Sequence, residues 1–139
     1  MKETLDEQSR QALVKYRIER AEETIDEAVL LSKESHFNAA ANRLYYACFY
    51  AASALMVANG IITSSHAGVK TMLGMHFVSK GLLPIEQGKT FSRLFEIRHS
   101  GDYDDFVYCD KEMIEEYTPK AKEFIDSIKT LLNNKDAPN

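Results

Sequence analysis

The sequence predicts an all-α bundle, and three features of the chain point to this class. Five stretches place apolar residues at helical spacing, no stretch alternates apolar and polar residues as a half-buried strand does, and no internal repeat is present. The 139 residues, 45% hydrophobic and 27% charged, are ordinary for one globular domain. We therefore expect residues 1–139 to form a single domain, with a frayed tail at 133–139.

The first helix is predicted over about residues 5–34. Apolar side chains recur there at steps of four and three, and a dense mixture of charges lies between them, as on a solvated face. Ser35 and Asn38 are both candidate N-caps for the next helix. The connection is short, which favours antiparallel packing of the two helices.

The second helix is predicted over residues 38–58 and organises the rest of the chain. Arg43 is its only charged residue, and its apolar side chains cover every face, so it needs neighbours on all sides. Asn59 and Gly60 end it. Its charge-free run is shorter than the ~20 residues that a bilayer requires, so we expect no membrane association.

A third helix is predicted to start after Ser64 or Ser65 and to end before Gly81. His66 and His76 share one of its faces. Ten residues at ~1.5 Å rise separate them by about 15 Å, which is too far to share a metal ion. Each is interpreted as a helix-start or core-edge histidine.

Two further helices complete the pattern. The fourth carries an apolar stripe that continues into Arg98, and it ends at Gly101. The last begins near Asp110, and its stripe keeps register through Pro119. That pattern is compatible with one kinked helix or with a new start capped by Thr118.

One face of the second helix combines a guanidinium with two phenols, because Arg43, Tyr46 and Tyr50 fall at positions i, i+3 and i+7. The interpretation that we favour is structural: the arginine stem lies along apolar surface with its head in water or on a carboxylate, and the tyrosine rings are core with wet tips. The net charge of −4 gives no global attraction to nucleic acid, so phosphate binding requires a local cluster.

The remaining motifs limit the chemistry. The one Glu-x-x-His, at Glu96 and His99, lacks the second pair and the extra carboxylates of a di-iron bundle, so we expect no metal. Cys48 and Cys109 have no metal-binding or redox spacing. The N-terminus lacks the apolar run of a signal peptide, and a reducing cytoplasmic setting is expected.

Three segments in order, NRLYYA, SSHAGV and FEIRHSGDYDDF, resemble the HEPN domain superfamily and, within it, the small UPF0332-type proteins. The resemblance covers roughly residues 18–132. It implies an up-and-down antiparallel bundle of four main helices plus a shorter one, which forms a homodimer and needs no cofactor. It also implies a metal-independent ribonuclease toxin whose partner is a small nucleotidyltransferase, with RNA or a nucleotide as the ligand.

The resemblance places the site at the end of the fourth helix. The family's pattern is an arginine, then four to six intervening residues, then a histidine, and Arg98 matches the arginine. The candidate catalytic residues are Arg98, Asp102 and Tyr103. The candidate nucleotide-binding or phosphate-binding residues are Asn42, Arg43, Tyr46 and His99.

The histidine of that pattern is missing, because after Arg98 and four intervening residues the chain has Tyr103. A phenol with an ordinary pKa near ~10 is a poor general base at neutral pH. The acidic residues from 102 to 116 would also repel an RNA backbone, and Arg98 can simply pair with Asp102 or a neighbour. The alternative function is a non-catalytic nucleotide-binding or protein-binding subunit of the transferase.

Overall fold

The computed structural model describes residues 6–100 and 109–135, and five helices account for most of them. The helices are α1 (Glu7–Lys33), α2 (Phe37–Ala58), α3 (His66–Leu73), α4 (Ile85–Ser100) and α5 (Lys111–Lys135). The described residues contain no strand, so the predicted all-α bundle of four main helices and a shorter one is confirmed. α5 extends three residues into the region predicted as a frayed tail.

α2 is the central helix of the bundle and packs against α1, α3, α4 and α5. Half of its 22 residues are buried, among them Leu44, Tyr45 and several alanines. Alanine carries little side-chain volume, which lets neighbouring backbones approach closely. The prediction that a helix apolar on every face needs neighbours on all sides is confirmed.

The turn from α1 to α2 differs from the prediction. Ser35 adopts a left-handed conformation with φ of 64°, and the His36 N–H donates to the Leu31 carbonyl at 2.9 Å, as at the end of a helix. His36, without a side-chain cap, precedes α2, so the prediction of Ser35 or Asn38 as the cap is wrong. Asn38 instead accepts a hydrogen bond from the Cys109 N–H at 2.7 Å, which ties the start of α2 to the residues before α5.

α3 begins as predicted, with Ser65 as its N-cap: the Ser65 hydroxyl accepts from the Gly68 N–H at 2.9 Å. The helix does not continue regularly to Gly81, because residues Gly74–Val78 form a π-helical turn. Gly81 then adopts φ of 76°, which requires a glycine-like backbone. The outcome is a short α3 whose first residue, His66, faces the bundle.

α4 and α5 close the bundle. On α4, Phe91 and Leu94 are buried and Arg98 is partly buried one turn further on, which confirms the predicted stripe. α5 starts after Asp110, which accepts from the Met113 N–H at 2.9 Å. It runs unbroken through Pro119, so the alternative of a new start capped by Thr118 is wrong.

Candidate functional site

Two arginines from different helices meet at the Tyr46 ring. Arg98 on α4 donates from Nη2 to the Tyr46 hydroxyl at 3.3 Å, and its Cζ lies 5.6 Å from the ring centroid. Arg43 on α2 places its Cζ 5.2 Å from the same centroid. The sequence did not indicate whether the arginine face of α2 meets Arg98, and the structure shows that it does.

Asn42 and Glu27 orient Arg43. The Asn42 amide oxygen accepts from Arg43 Nη2 at 2.9 Å, and Glu27 Oε1 lies 3.5 Å from Arg43 Nη1. Glu27 also contacts Arg20 at 3.6 Å, and Arg20 lies over the Tyr50 ring at 5.2 Å. These pairs are partly exposed, so solvent weakens them and the guanidinium groups stay available to an anion.

His99 lies in the same cluster. Its ring stacks on Phe95 with centroids 4.1 Å apart, and its Nδ1 is 2.9 Å from the Phe95 carbonyl oxygen. A carbonyl only accepts hydrogen bonds, so Nδ1 carries a hydrogen. In the neutral ring the lone pair therefore belongs to Nε2, which makes His99 able to accept a proton there.

Sequence reasoning left His66 out of the site, and the structure includes it. Its Nδ1 is 2.8 Å from the Tyr45 hydroxyl, and its ring stacks on Phe49 with centroids 4.2 Å apart. The ring centroids of His66 and His99 are 5.6 Å apart. The serine before His66 predicts the start of a helix. No local sequence pattern indicates that His66 on α3 contacts Tyr45 on α2 and His99 on α4.

The environment fixes the charge of these groups. Burial, followed by the nearby charges of His99 and Arg98, lowers the pKa of the His66 imidazole. Burial also raises the pKa of the Tyr45 phenol, because a phenolate would be unsolvated there. At neutral pH His66 is uncharged and Tyr45 keeps its proton.

Tyr45 and His66 therefore form an oriented pair. Within the described part of the chain, Nδ1 of His66 is the hydrogen-bond partner of the Tyr45 hydroxyl. The hydroxyl proton is best placed toward Nδ1, so the neutral His66 ring carries its hydrogen on Nε2. The two imidazoles thus hold opposite tautomers: His66 offers a donor, and His99 offers an acceptor.

Two of the predicted catalytic residues, Asp102 and Tyr103, lie outside the described residues. The structure brings together the other five predicted site residues, Arg98, Asn42, Arg43, Tyr46 and His99, and adds Tyr45 and His66. Among the residues that the structure describes, no three His, Cys, Asp or Glu side chains lie close enough to hold a metal ion.

A separate cleft lies at the α1 and α5 side of the bundle. It encloses about 420 Å³ and is lined by Val14, Ile18 and Leu132 among others, with Arg10 and Lys129 beside them. Arg10 donates to the Val57 carbonyl at 2.7 Å, and Lys129 pairs with a carboxylate. Since its charged residues hold the helices together, this cleft is a weaker candidate than the cluster around Arg98.

No helix in the described ranges is both long enough and apolar enough to cross a bilayer. Fold and cluster together define a class: a small helical bundle in which arginine, tyrosine and histidine side chains from α2, α3 and α4 meet at one point.

The chain matches the HEPN domain over residues 14–131, and it belongs to this family. A "UPF0332 protein" of Thermotoga maritima is 38% identical over 125 residues, covering 90% of this chain and 95% of the relative. "Putative toxin MJ0605" of Methanocaldococcus jannaschii is 32% identical over 115 residues, which cover 83% of this chain and 85% of the relative. "Putative toxin MJ0142" of the same organism is 28% identical over 119 residues, which cover 86% of this chain and 81% of the relative.

Proposed function

We propose that this chain is a toxin-like HEPN protein that cleaves RNA without a metal at the cluster around Arg98. A small nucleotidyltransferase is its partner, and the pair acts in the cytoplasm. The names of two relatives support the toxin-like role. The observation that carries the proposal is the meeting of Arg98 and Arg43 at the Tyr46 ring, next to His66 and His99.

This arrangement suits a single-stranded nucleic acid. Guanidinium groups bind phosphate in a bidentate geometry and stabilise charge that develops on a phosphorane. The guanidinium planes of these arginines can also stack on unpaired bases. The chain has net charge −4, so the two arginines must provide the local positive potential.

A homodimer is part of the proposal, as the family resemblance implies. Half of the residues of α2, and Phe91 on α4, are already buried within one chain, so the support for a dimer comes from elsewhere. The exposed apolar side chains of Met75, Leu82 and Ile85 now support it, being 54%, 51% and 65% exposed. Sedimentation of a monomer at micromolar concentration would contradict the dimer.

The test is cleavage of single-stranded RNA by the purified full chain in the presence of a chelator. We expect the wild type to cleave and Arg98→Ala to lose at least about a hundredfold in rate, because one donor to the transition-state charge is removed. Arg93→Ala is the matched control: Arg93 lies on the same helix, is half exposed and pairs with Glu96 at 3.7 Å. Its rate should equal that of the wild type.

Two other results would overturn ribonuclease activity. If the wild type does not cleave but retains a nucleotidyltransferase from a lysate, the chain is the non-catalytic binding subunit. If Arg98→Ala and Arg93→Ala cleave equally, the activity does not belong to this cluster.

A further inference from the structure

Two imidazoles from different helices, His66 and His99, meet in the cluster that contains Arg98. We propose that His99 is the general base of RNA cleavage at this site. We propose also that His66 is a neutral hydrogen-bond donor that holds and stabilises the scissile phosphate. The inference rests on the proposed function and assigns its proton transfer to His99, with His66 as a phosphate contact, instead of to Tyr103.

The geometry places both rings at the arginine. His66 and His99 have centroids 5.6 Å apart, and the His66 ring is 5.8 Å from that of Tyr46. Tyr46 in turn contacts Arg98. A phosphate held by Arg98 therefore lies near both imidazoles, each of which keeps its Nε2 outside the hydrogen bond made by its Nδ1.

The hydrogen bonds of the two Nδ1 atoms assign different roles. The Phe95 carbonyl accepts from Nδ1 of His99, so the neutral ring has its lone pair on Nε2 and can take a proton. The Tyr45 hydroxyl pairs with Nδ1 of His66. We assign the hydroxyl as the donor, because its proton then has an acceptor, and this assignment gives the ring an Nε2–H. Burial lowers the pKa of the His66 imidazole, which favours the neutral ring as a donor.

The reaction balances with these groups and water. His99 takes the proton of the ribose 2′-hydroxyl, and the 2′-oxygen forms a bond to phosphorus. The bond from phosphorus to the 5′-oxygen breaks, and the leaving oxygen takes a proton from water. The hydroxide that remains takes the proton from His99, which returns the ring to its neutral form. The products are a 2′,3′-cyclic phosphate and a 5′-hydroxyl, and Arg98 with the Nε2–H of His66 stabilises the charge on the non-bridging oxygens.

The decisive experiment compares pH profiles of kcat/KM for the purified full chain and its variants on a short single-stranded RNA. Tyr45 on α2 and His66 on α3 contact the His99 ring. Lys70 on α3 lies over the Phe95 ring that stacks on His99, and Arg98 precedes His99 on α4. We expect His99→Ala to lose about a hundredfold to ten-thousandfold in rate and to lose the acidic limb of the profile. Added imidazole should restore part of the rate, which a merely structural role would not allow.

His66→Asn separates the second role from folding. The asparagine amide oxygen can accept from Tyr45 in place of Nδ1, but the variant has no donor where Nε2–H was. We expect a rate loss of about a hundredfold with the acidic limb unchanged. The control His76→Ala removes a histidine from the π-helical turn and should leave the rate unchanged.

A substrate with a 4-nitrophenol leaving group checks the direction of proton transfer. This leaving group needs no acid, so the loss in His99→Ala should persist if His99 is the base. Full recovery of His99→Ala on this substrate would make His99 the acid and overturn the assignment.

Further results would overturn the inference while leaving the proposed function intact. One such result is a His99→Ala variant that cleaves at the wild-type rate while Arg98→Ala is inactive. Another is loss of the acidic limb of the pH profile in His66→Asn and not in His99→Ala. Abolition of cleavage by Tyr103→Phe would place the proton transfer at Tyr103. Absence of cleavage by the wild type would overturn both proposals together.

Discussion

The Tyr45 hydroxyl lies 2.8 Å from Nδ1 of His66 and joins the middle of α2 to the first residue of α3. Tyr45 is fully buried, so its hydroxyl needs a partner inside the protein. The same contact orients the His66 ring against Phe49 and next to His99. A core residue of the central helix thereby fixes the tautomer of a histidine in the candidate site.

Tyr45→Phe tests this relationship directly. We expect the free energy of unfolding to fall by about 1 kcal/mol, because a buried hydrogen bond is lost and Nδ1 of His66 is left without its donor. The pKa of His66 should rise, since Nδ1 becomes free to bind a proton. Urea unfolding and an NMR titration of the imidazole measure the two effects.

Tyr16→Phe is the control for that variant. Tyr16 is 59% exposed on α1, so removing its hydroxyl should change neither quantity. An unchanged His66 pKa in Tyr45→Phe would contradict the orientation of the hydrogen bond given above.

The lowered pKa of His66 also predicts how stability depends on pH. The unfolded chain binds a proton at His66 near the ordinary pKa of 6.5, whereas the folded chain binds it only at lower pH. Stability from this group is therefore complete above pH 6.5 and is lost as pH falls through the folded pKa. When the pH is lowered from 7.5 to 5, the urea midpoint of the wild type should fall by more than that of His66→Asn.

Carboxylates contribute to acid unfolding in both proteins, so only the difference between wild type and variant reports on His66. A difference that stays constant between the two pH values would show that His66 has an ordinary pKa in the folded protein.

Glu27 is predicted to limit RNA affinity at the candidate site. Its carboxylate lies 3.5 Å from Arg43 and 3.6 Å from Arg20 and partly neutralises both. Glu27→Gln should therefore tighten RNA binding a few-fold and steepen its dependence on salt, because more counterions are released per phosphate bound. Fluorescence anisotropy at several salt concentrations measures both.

Glu34→Gln makes the same change of charge at the exposed end of α1 and should bind RNA as the wild type does. Equal tightening in both variants would point to net charge instead of the local contact with the arginines.

Two matching turns allow a test of backbone strain. Ser35 after α1 and Gly60 after α2 both have left-handed backbones, with φ of 64° and 68°, and the same hydrogen-bonding pattern follows each helix. Serine pays a steric cost there that glycine does not. We expect Ser35→Gly to raise the free energy of unfolding by about 0.5–1 kcal/mol, net of the greater freedom of glycine in the unfolded chain.

The reverse change, Gly60→Ser, should destabilise by about 1 kcal/mol. An added Cβ at Gly60 has ordinary contact distance to Arg10 Nη1, 3.9 Å, so the loss would come from the backbone and not from crowding. Urea denaturation of both variants measures the two changes in the free energy of unfolding. The change must be positive for Ser35→Gly and negative for Gly60→Ser.

Much of the helical arrangement could be predicted from local pattern. The last residue of α2 could be predicted from Asn59-Gly60 and the first residue of α3 from Ser65, since caps act on the nearest backbone groups. The cap of α2 could not be predicted, because Asn38 bonds to the Cys109 N–H, 71 positions along the chain. Periodicity likewise did not show whether α5 continues through Pro119 or a new helix starts there, since the apolar stripe keeps its register in both cases.

Spacing and composition alone predict the all-α class, the central position of α2 and the inward placement of Arg98, because they show which faces of the helices must be buried. The meeting of Arg98 and Arg43 at Tyr46, and of His66 and His99 beside them, could be seen only in the folded structure. These contacts depend on how α2, α3 and α4 are rotated and stacked against one another. No short stretch of sequence contains that information, since packing of the whole core sets it.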